Sequence, residues 1–215
     1  LERIRRSGLK KGRIVLTRRQ DEAPLYAGNL FRYFLEQEGV VVRGSVGMMT
    51  DGFSEARLVY RHTSPYDLAH IIERLLEYSN NFTANQLLLA MGTRCYGPPA
   101  TLGKGVQALT AYARNVIGIP DGVFVEGSGI SRHNRLSVRD MVTVLHHFRP
   151  YAHLMPHEGS EYYKTGTLKG VRTRVGYIDL GPGDRYRFAL FRNRSSQTTA
   201  PIMRQVHRYL STDRN

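Results

Sequence analysis

Apolar residues change their period once along this chain, close to Pro156. Before it they recur at three- and four-residue steps, the spacing of amphipathic helices. Beyond it they alternate with polar residues, the spacing of half-buried strands. The first stretch, "GRIVLTRR", reads as a short strand followed by a turn at Asp21 to Pro24. The spacing predicts a helix over "LYAGNLFRYFLEQEG", with Leu30, Phe31, Phe34 and Leu35 on one face and Gly39 as its stop. "VVVRGSVGM" then reads as extended. At "SPYD", Ser64 is placed to cap a helix, Pro65 suits its first turn, and Asp67 completes a capping box. That helix carries Leu68, Ile71, Ile72, Leu75 and Leu76 until it meets Tyr78-Ser79-Asn80-Asn81. A second helix, "TANQLLLAMG", starts at once and is expected to end at Gly92, so Ser79 and its two asparagines fall at a corner between helices.

"KGVQALTAYARNVIG" predicts a further helix, "DGVFVEGSGIS" a turn and short strand, and Ser137 to Asp140 a capping box before "MVTVLHHF". After Pro156, "GVRTRVGYIDL", a tight "GPGD" turn and "RYRFALFRN" form a β-hairpin, with "YKTGTLKG" at the start of its first strand. "TTAPIMRQVHRYL" closes the chain as an amphipathic helix. Helices followed by antiparallel strands and a terminal helix make an α+β layer fold.

Composition narrows the function classes. At 215 residues and 41% hydrophobic content, the chain suits one sizeable domain, or a main domain with part of a second. No apolar run approaches a membrane span. The single cysteine, Cys95, excludes an internal disulfide and a multi-cysteine metal site. The net charge of +13 sits at the two ends: residues 1–19 hold eight Lys/Arg against one Glu, and residues 164–215 hold eleven against three acids. Such a field attracts anionic polymers, whether nucleic acid, acidic cell-wall polymer or lipid headgroups, or is a solvated face of ordinary arginines. The aromatics are scattered and form no stacking platform, so nucleic acid is not an expected partner. No metal is expected either: Pro156 breaks the His153–His157 spacing, and His146 and His147 diverge on their helix. "GTRCYG" and "LGKG" lack the features of a phosphate-cradling loop, and no cofactor is expected.

Only five of the 31 basic residues are lysines, and one stands directly before Thr165-Gly166-Thr167. At a strand edge, Lys164 supplies a fixed positive charge, the threonine hydroxyls supply donors, and Gly166 leaves room for a ligand backbone. This set suits a substrate ending in a carboxylate. Ser79-x-Asn81 is the only S-x-N in the chain. Serine enzymes that open D-Ala-D-Ala peptides or β-lactams combine S-x-x-K, S-x-N and K-T-G; two of the three occur here, in that order.

The segments "LLEYSNNFTANQLLLAMG", "VEGSGISRHNRLSVRDMVTVL" and "YKTGTLKGVRTRVGYI" resemble serine-type D-alanyl-D-alanine carboxypeptidases, also called low-molecular-mass class C penicillin-binding proteins. The resemblance covers roughly residues 20 to 210, and the Gly127–Asn134 segment sets it apart from the β-lactamases. It implies the penicillin-recognising fold, an antiparallel sheet flanked by helices, incomplete in this chain. It implies that Ser79 relays a proton to the leaving D-alanine, that Asn81 binds the substrate peptide, and that Lys164 supports the relay. Thr165 and Thr167 would meet the terminal carboxylate, Gly166 would allow close approach, and the Thr167 N–H would form part of the oxyanion hole. Ser128 and Arg132 are read as structural. Peptidoglycan stem peptides and β-lactams are the implied ligands, and the periplasm or cell envelope the implied location.

The third motif is missing in usable form. Ser7-Gly8-Leu9-Lys10 matches S-x-x-K, but "KGRIVLTRR" follows it where the family has a buried apolar helix, and it lies only 72 residues before Ser79. Thr101-Leu-Gly-Lys104 has the spacing with the wrong nucleophile. The chain is therefore expected to be the C-terminal part of a carboxypeptidase. Residues 1–45 would be the end of an inserted domain and residues 46–215 the C-terminal part of the transpeptidase-like domain. The remainder of the protein, or a second copy, is then an expected partner. The rival expectation is a non-catalytic protein that binds peptidoglycan or acidic cell-wall polymer on the same fold.

Overall fold

The structure is a computed structural model; it describes Gly8, Arg19 and residues 22–48, 57–194 and 197–212. Most of "GRIVLTRR", and the Ser7–Lys10 motif apart from Gly8, lie outside the described residues. The chain divides into two compact units, Leu1–His62 and Thr63–Asn215.

In the first unit, helix α1 spans Glu22–Gln37. It begins inside the predicted turn because Pro24 sits in the first turn, where its missing N–H would have no partner anyway. Gly39 ends it as expected. With φ +79°, it lets Gly39 N–H reach the Glu36 carbonyl at 3.2 Å and Val40 N–H the Leu35 carbonyl at 2.9 Å. The face that is covered differs from the one predicted: Leu25, Gly28, Arg32 and Leu35 are half-buried, whereas Phe31 and Phe34 are exposed. Gly28 lets Val46 approach within the space of a side chain, and Arg32 reaches the Gly44 carbonyl at 2.7 Å, so the 40–48 segment selects the contact face. That segment forms no strand pairing among the described residues.

The second unit opens with α2 (Leu68–Tyr78). Asp67 is itself the N-cap, accepting from the His70 N–H at 2.8 Å, while Ser64 accepts from Tyr66 in the turn before it. The expected capping box thus becomes a turn followed by a single acidic cap. Helix α3 (Asn81–Tyr96) runs straight through Gly92. A Cβ there would lie 2.7 Å from the Lys104 carbonyl carbon and 2.9 Å from Gly105 Cα. Gly92 is a helix-crossing point against α4 (Leu102–Tyr112), and the true stop is Gly97. Thr101 caps α4, and Lys104 Nζ donates to the Gly97 and Pro99 carbonyls, which gives the T-x-x-K segment a structural use. A wide helical turn, Ala113–Ile117, ends at left-handed Gly118. The expected strand in "DGVFVEGSGIS" is reduced to one bridge, Val123 to Arg135, because the rest of the segment wraps around the Glu126 side chain. Helix α5 (Val138–Phe148) carries the predicted capping box of Ser137 and Asp140.

The sheet has four antiparallel strands in sequence order: β1 (His157–Glu158), β2 (Glu161–Leu168), β3 (Val171–Asp179) and β4 (Arg185–Asn193). The K-T-G segment is not the start of the hairpin strand. Lys169 and Gly170 form a tight turn, with Gly170 at φ +75°, and set it on its own strand, β2. Along β3, Tyr177 and Ile178 are wholly buried on opposite faces. Tyr177 packs with Leu145, Ala152 and Met155 beneath α5, with Leu76 and Val175 beside them. Ile178 shares its face with Glu161, which holds His207 of α6 (Ala200–Thr212) at 2.7 Å. Arg174 closes on the same carboxylate at 2.8 Å and stacks on Tyr163. Helices thus cover both faces of the sheet, and α2 and α3 meet beside the β2 edge.

Candidate active site

Two helices meet at residue 79 with no linker. Ser79 ends α2 in the left-handed conformation, φ 52°, ψ 50°, and Asn80 caps α3 by accepting the Thr83 N–H at 3.1 Å. A non-glycine residue in that region costs about 1–2 kcal/mol and asks for an explanation. The sharp turn aims the Ser79 hydroxyl away from both helix axes and toward β2. Lys164 Nζ donates to Ser79 Oγ across 85 residues of sequence, and also to the Thr165 carbonyl at 2.9 Å. Burial pushes the Lys164 ammonium below the ordinary lysine value.

β1 pairs only with Glu161 and Tyr162, and Tyr163 N–H donates to the Pro156 carbonyl on that side. Main-chain groups of alternate residues point the same way. The N–H groups of Thr165 and Thr167 therefore face the same edge, which no strand occupies among the described residues. Gly166 sits against β3, where a Cβ would press on the Thr173 hydroxyl.

All six sequence-predicted residues line one cavity of about 820 Å³: Ser79, Asn81, Lys164, Thr165, Gly166 and Thr167. Asn80, between Ser79 and Asn81, also lines the cavity, but its side-chain oxygen is taken up by the helix cap. The third wall is the loop Gly127–Ile130, and the inner surface is apolar, with Leu76, Met141, Val175 and Phe191. Arg132 donates to the Lys169 carbonyl at 2.6 Å and ties this loop to the β2–β3 turn. Sequence reasoning missed Glu126, whose carboxylate organises the loop, and Asn85, which accepts the Gly127 N–H at 2.7 Å. The only signal for Asn85 was its place one helical turn after Asn81. Among the described residues no three His, Cys, Asp or Glu side chains gather as a metal site, and no helix is long and apolar enough to cross a membrane.

The arrangement joins a cationic nitrogen, a hydroxyl and an open strand edge. Such a cleft can hold an extended peptide as an added strand and move a proton at its end. The sequence model of the D-Ala-D-Ala carboxypeptidase 3 (S13) family matches residues 9–154, which ends before the K-T-G strand. D-alanyl-D-alanine carboxypeptidase DacB of Haemophilus influenzae is 25% identical over 193 residues, covering 78% of this chain and 40% of that protein. The D-alanyl-D-alanine carboxypeptidase of an Actinomadura species is 27% identical, covering 84% of this chain and 38% of that one. The chain therefore spans about 40% of the length of the curated relatives it matches. Two crystal structures of penicillin binding protein 4 from H. influenzae, one complexed with a β-lactam, superpose with TM-scores of 0.70 and 0.73 at 23% identity. They cover 87% and 86% of this chain, and 50% and 48% of theirs. The fold is the penicillin-recognising one.

Proposed function

Because the chain belongs to the D-Ala-D-Ala carboxypeptidase 3 (S13) family, we propose that it supplies two of the three elements of a serine acyl-enzyme centre. That centre cleaves the terminal D-Ala-D-Ala bond of peptidoglycan stem peptides. The observation that carries this reading is the hydrogen bond from Lys164 to Ser79 inside a cavity edged by Thr165–Thr167.

The roles follow from the donors. Lys164 occupies a lone pair of the Ser79 oxygen, so the serine's own proton is free to point into the cavity. A proton so placed can pass to the amine of a departing D-alanine, with Lys164 stabilising the oxygen that gives it up. Burial lowers the Lys164 pKa, the direction that favours such an exchange. The substrate would lie along the open edge of β2, its carboxylate at the Thr165 and Thr167 hydroxyls. The Thr167 N–H would meet the carbonyl oxygen as it gains charge, a contact worth about 3–4 kcal/mol per donor in such sites. Asn81 would hold the peptide from the helical side.

The attacking serine, on an S-x-x-K helix, comes from outside this chain in this reading. The apolar inner surface at Leu76, Met141, Val175 and Phe191 suits the buried helix that carries it. Residues 1–45 are then the end of an inserted domain, residues 46–215 the C-terminal part of the transpeptidase-like domain, and the site of action the periplasm or cell envelope. β-Lactams are ligands on the same grounds.

The test uses the protein with its nucleophile segment. There, Ser79→Ala should slow acylation by a β-lactam about 10²- to 10⁴-fold, the range for a lost general acid or base. An unchanged rate sinks the assignment. If the protein only binds cell-wall peptide, Lys164→Gln abolishes binding, Ser79→Ala leaves it intact, and no acylation is seen. The 215-residue chain alone should show no mass gain after denaturation with penicillin.

A further inference from the structure

The loop from Glu126 to Asn134 forms part of the partition between the Lys164 cavity and a neighbouring cavity of about 840 Å³ below the β2–β3 turn, with Gly127 and Gly129 lining both. Met141, Leu168, Val171, Thr173 and Phe191 complete the shared wall. The loop has no regular structure of its own, and one carboxylate holds it. Glu126 Oε2 accepts from the Ser128 N–H at 2.6 Å and the Ser128 hydroxyl at 2.5 Å. Oε1 accepts from the Ser131 N–H at 3.2 Å and the Asn134 amide at 2.5 Å. Asn134 in turn accepts the Val125 N–H at 2.8 Å. Four donors converging on two oxygens are satisfied by an ionised carboxylate, whereas an amide would turn one acceptor into a donor.

The loop so shaped is anchored on both walls of the cleft. Gly127 N–H donates to Asn85 on α3, and Arg132 to the Lys169 carbonyl in the β2–β3 turn. Gly127 also lies flush on the helix, where a Cβ would stand 3.1 Å from the Ala84 carbonyl carbon.

We propose that Glu126 is a positioning residue: its carboxylate fixes the partition that spans from α3 to the β2–β3 turn. It thereby sets the distance between the Ser79 corner and the Lys164 strand. It touches no substrate and acts through Ser128 and the Gly127–Ile130 wall. This deepens the reaction proposed above and rests on it for its catalytic meaning. The wall lines the same cavity as the half-buried Lys164, so loosening it should hydrate the ammonium.

Acid should loosen it too. Burial works to raise the Glu126 carboxyl, but bonds from Ser128, Ser131 and Asn134 outweigh it and hold it below the usual glutamate value. A depressed carboxylate contributes stability that is complete above its unfolded pKa and lost as pH falls through the folded one. On the far side of the partition the charged groups are Arg132, Arg135, Lys169 and Arg194; the α3 side presents Ala84 and Asn85, which do not titrate.

The experiment compares wild type with Glu126→Gln by amide exchange and by NMR titration of Lys164. Gly127, Ser128 and Ser131 amides should exchange roughly 10- to 100-fold faster, the equivalent of one charge-assisted hydrogen bond. Lys164 should titrate at higher pH than in wild type, while β3 amides keep their protection. Unchanged loop exchange together with an unchanged Lys164 titration overturns the proposal. Should the variant not fold, wild type is acidified instead. The same three amides should open below the usual glutamate range and before β3; opening only together with β3 overturns it as well. Neither readout requires turnover, so a responsive partition with unaffected acylation in Ser79→Ala refutes the reaction alone.

Discussion

The left-handed Ser79 makes a quantitative prediction that separates backbone from side chain. Replacing it by alanine or by glycine removes the hydroxyl in both cases, so both variants lose the bond to Lys164 equally. They differ in the backbone. At φ 52°, ψ 50°, alanine suffers the Cβ clash of the left-handed region, about 1–2 kcal/mol, and glycine does not. Glycine gives back about 0.5–1 kcal/mol through its greater freedom in the unfolded chain. The difference leaves Ser79→Gly more stable than Ser79→Ala by about 0.75 kcal/mol at the midpoints of these ranges, or about 1.5–3 °C in Tm for a chain of this size. Urea melts with equal m-values and calorimetry would measure it. On the reaction proposed above, both variants should acylate equally slowly. A glycine variant no more stable than the alanine one would mean that residue 79 is not held left-handed. The strain assigned to this corner would then have no basis.

Two further outcomes test the scaffold behind the site. Tyr177 is wholly buried, and burial pushes its phenol up to about 12. Its hydroxyl donates to the Leu145 carbonyl at 2.5 Å, where the Arg149 N–H has turned to His146 at the end of α5. Tyr177→Phe should strand that carbonyl and cost about 1–3 kcal/mol in urea unfolding; a loss within error refutes the role. Gly92→Ala should gain about 1 kcal/mol of helix propensity but lose more to backbone contacts with Lys104 and Gly105 that cannot move aside, a net loss of about 1 kcal/mol or more. A raised Tm would show that α3 and α4 do not cross there.

What local rules could see and what they could not divides along sequence distance. The Ser137 box, the Gly39 stop and the antiparallel pairing of β3 with β4 are each decided within a few residues, and each stands as predicted. The one-sided burial expected from alternation does not, because helices cover both faces and Tyr177 and Ile178 are buried on opposite sides of β3. Gly92 was misread because the residue that requires it, Gly105, lies on the next helix; a glycine in a helical pattern otherwise signals an end. The α1 face was misread for the same reason, since Val46 and Gly44 choose it. Glu126 carried no spacing signal at all: its four donors come from a loop whose path is defined only once the carboxylate is in place.

The spacing of the S-x-N motif itself has a local cause that the fold makes plain. Two helices that abut without a linker need one residue to reverse the chain and one to cap the new helix. Ser79 does the first by turning left-handed and Asn80 does the second through its side chain. The next residue, Asn81, is then the first of α3, where the helix has just begun and a side chain still looks back into the corner. The interval between hydroxyl and amide is therefore set by the length of a helix cap. Any replacement of Asn80 that cannot cap should misplace both the Ser79 hydroxyl and the Asn81 amide while touching neither.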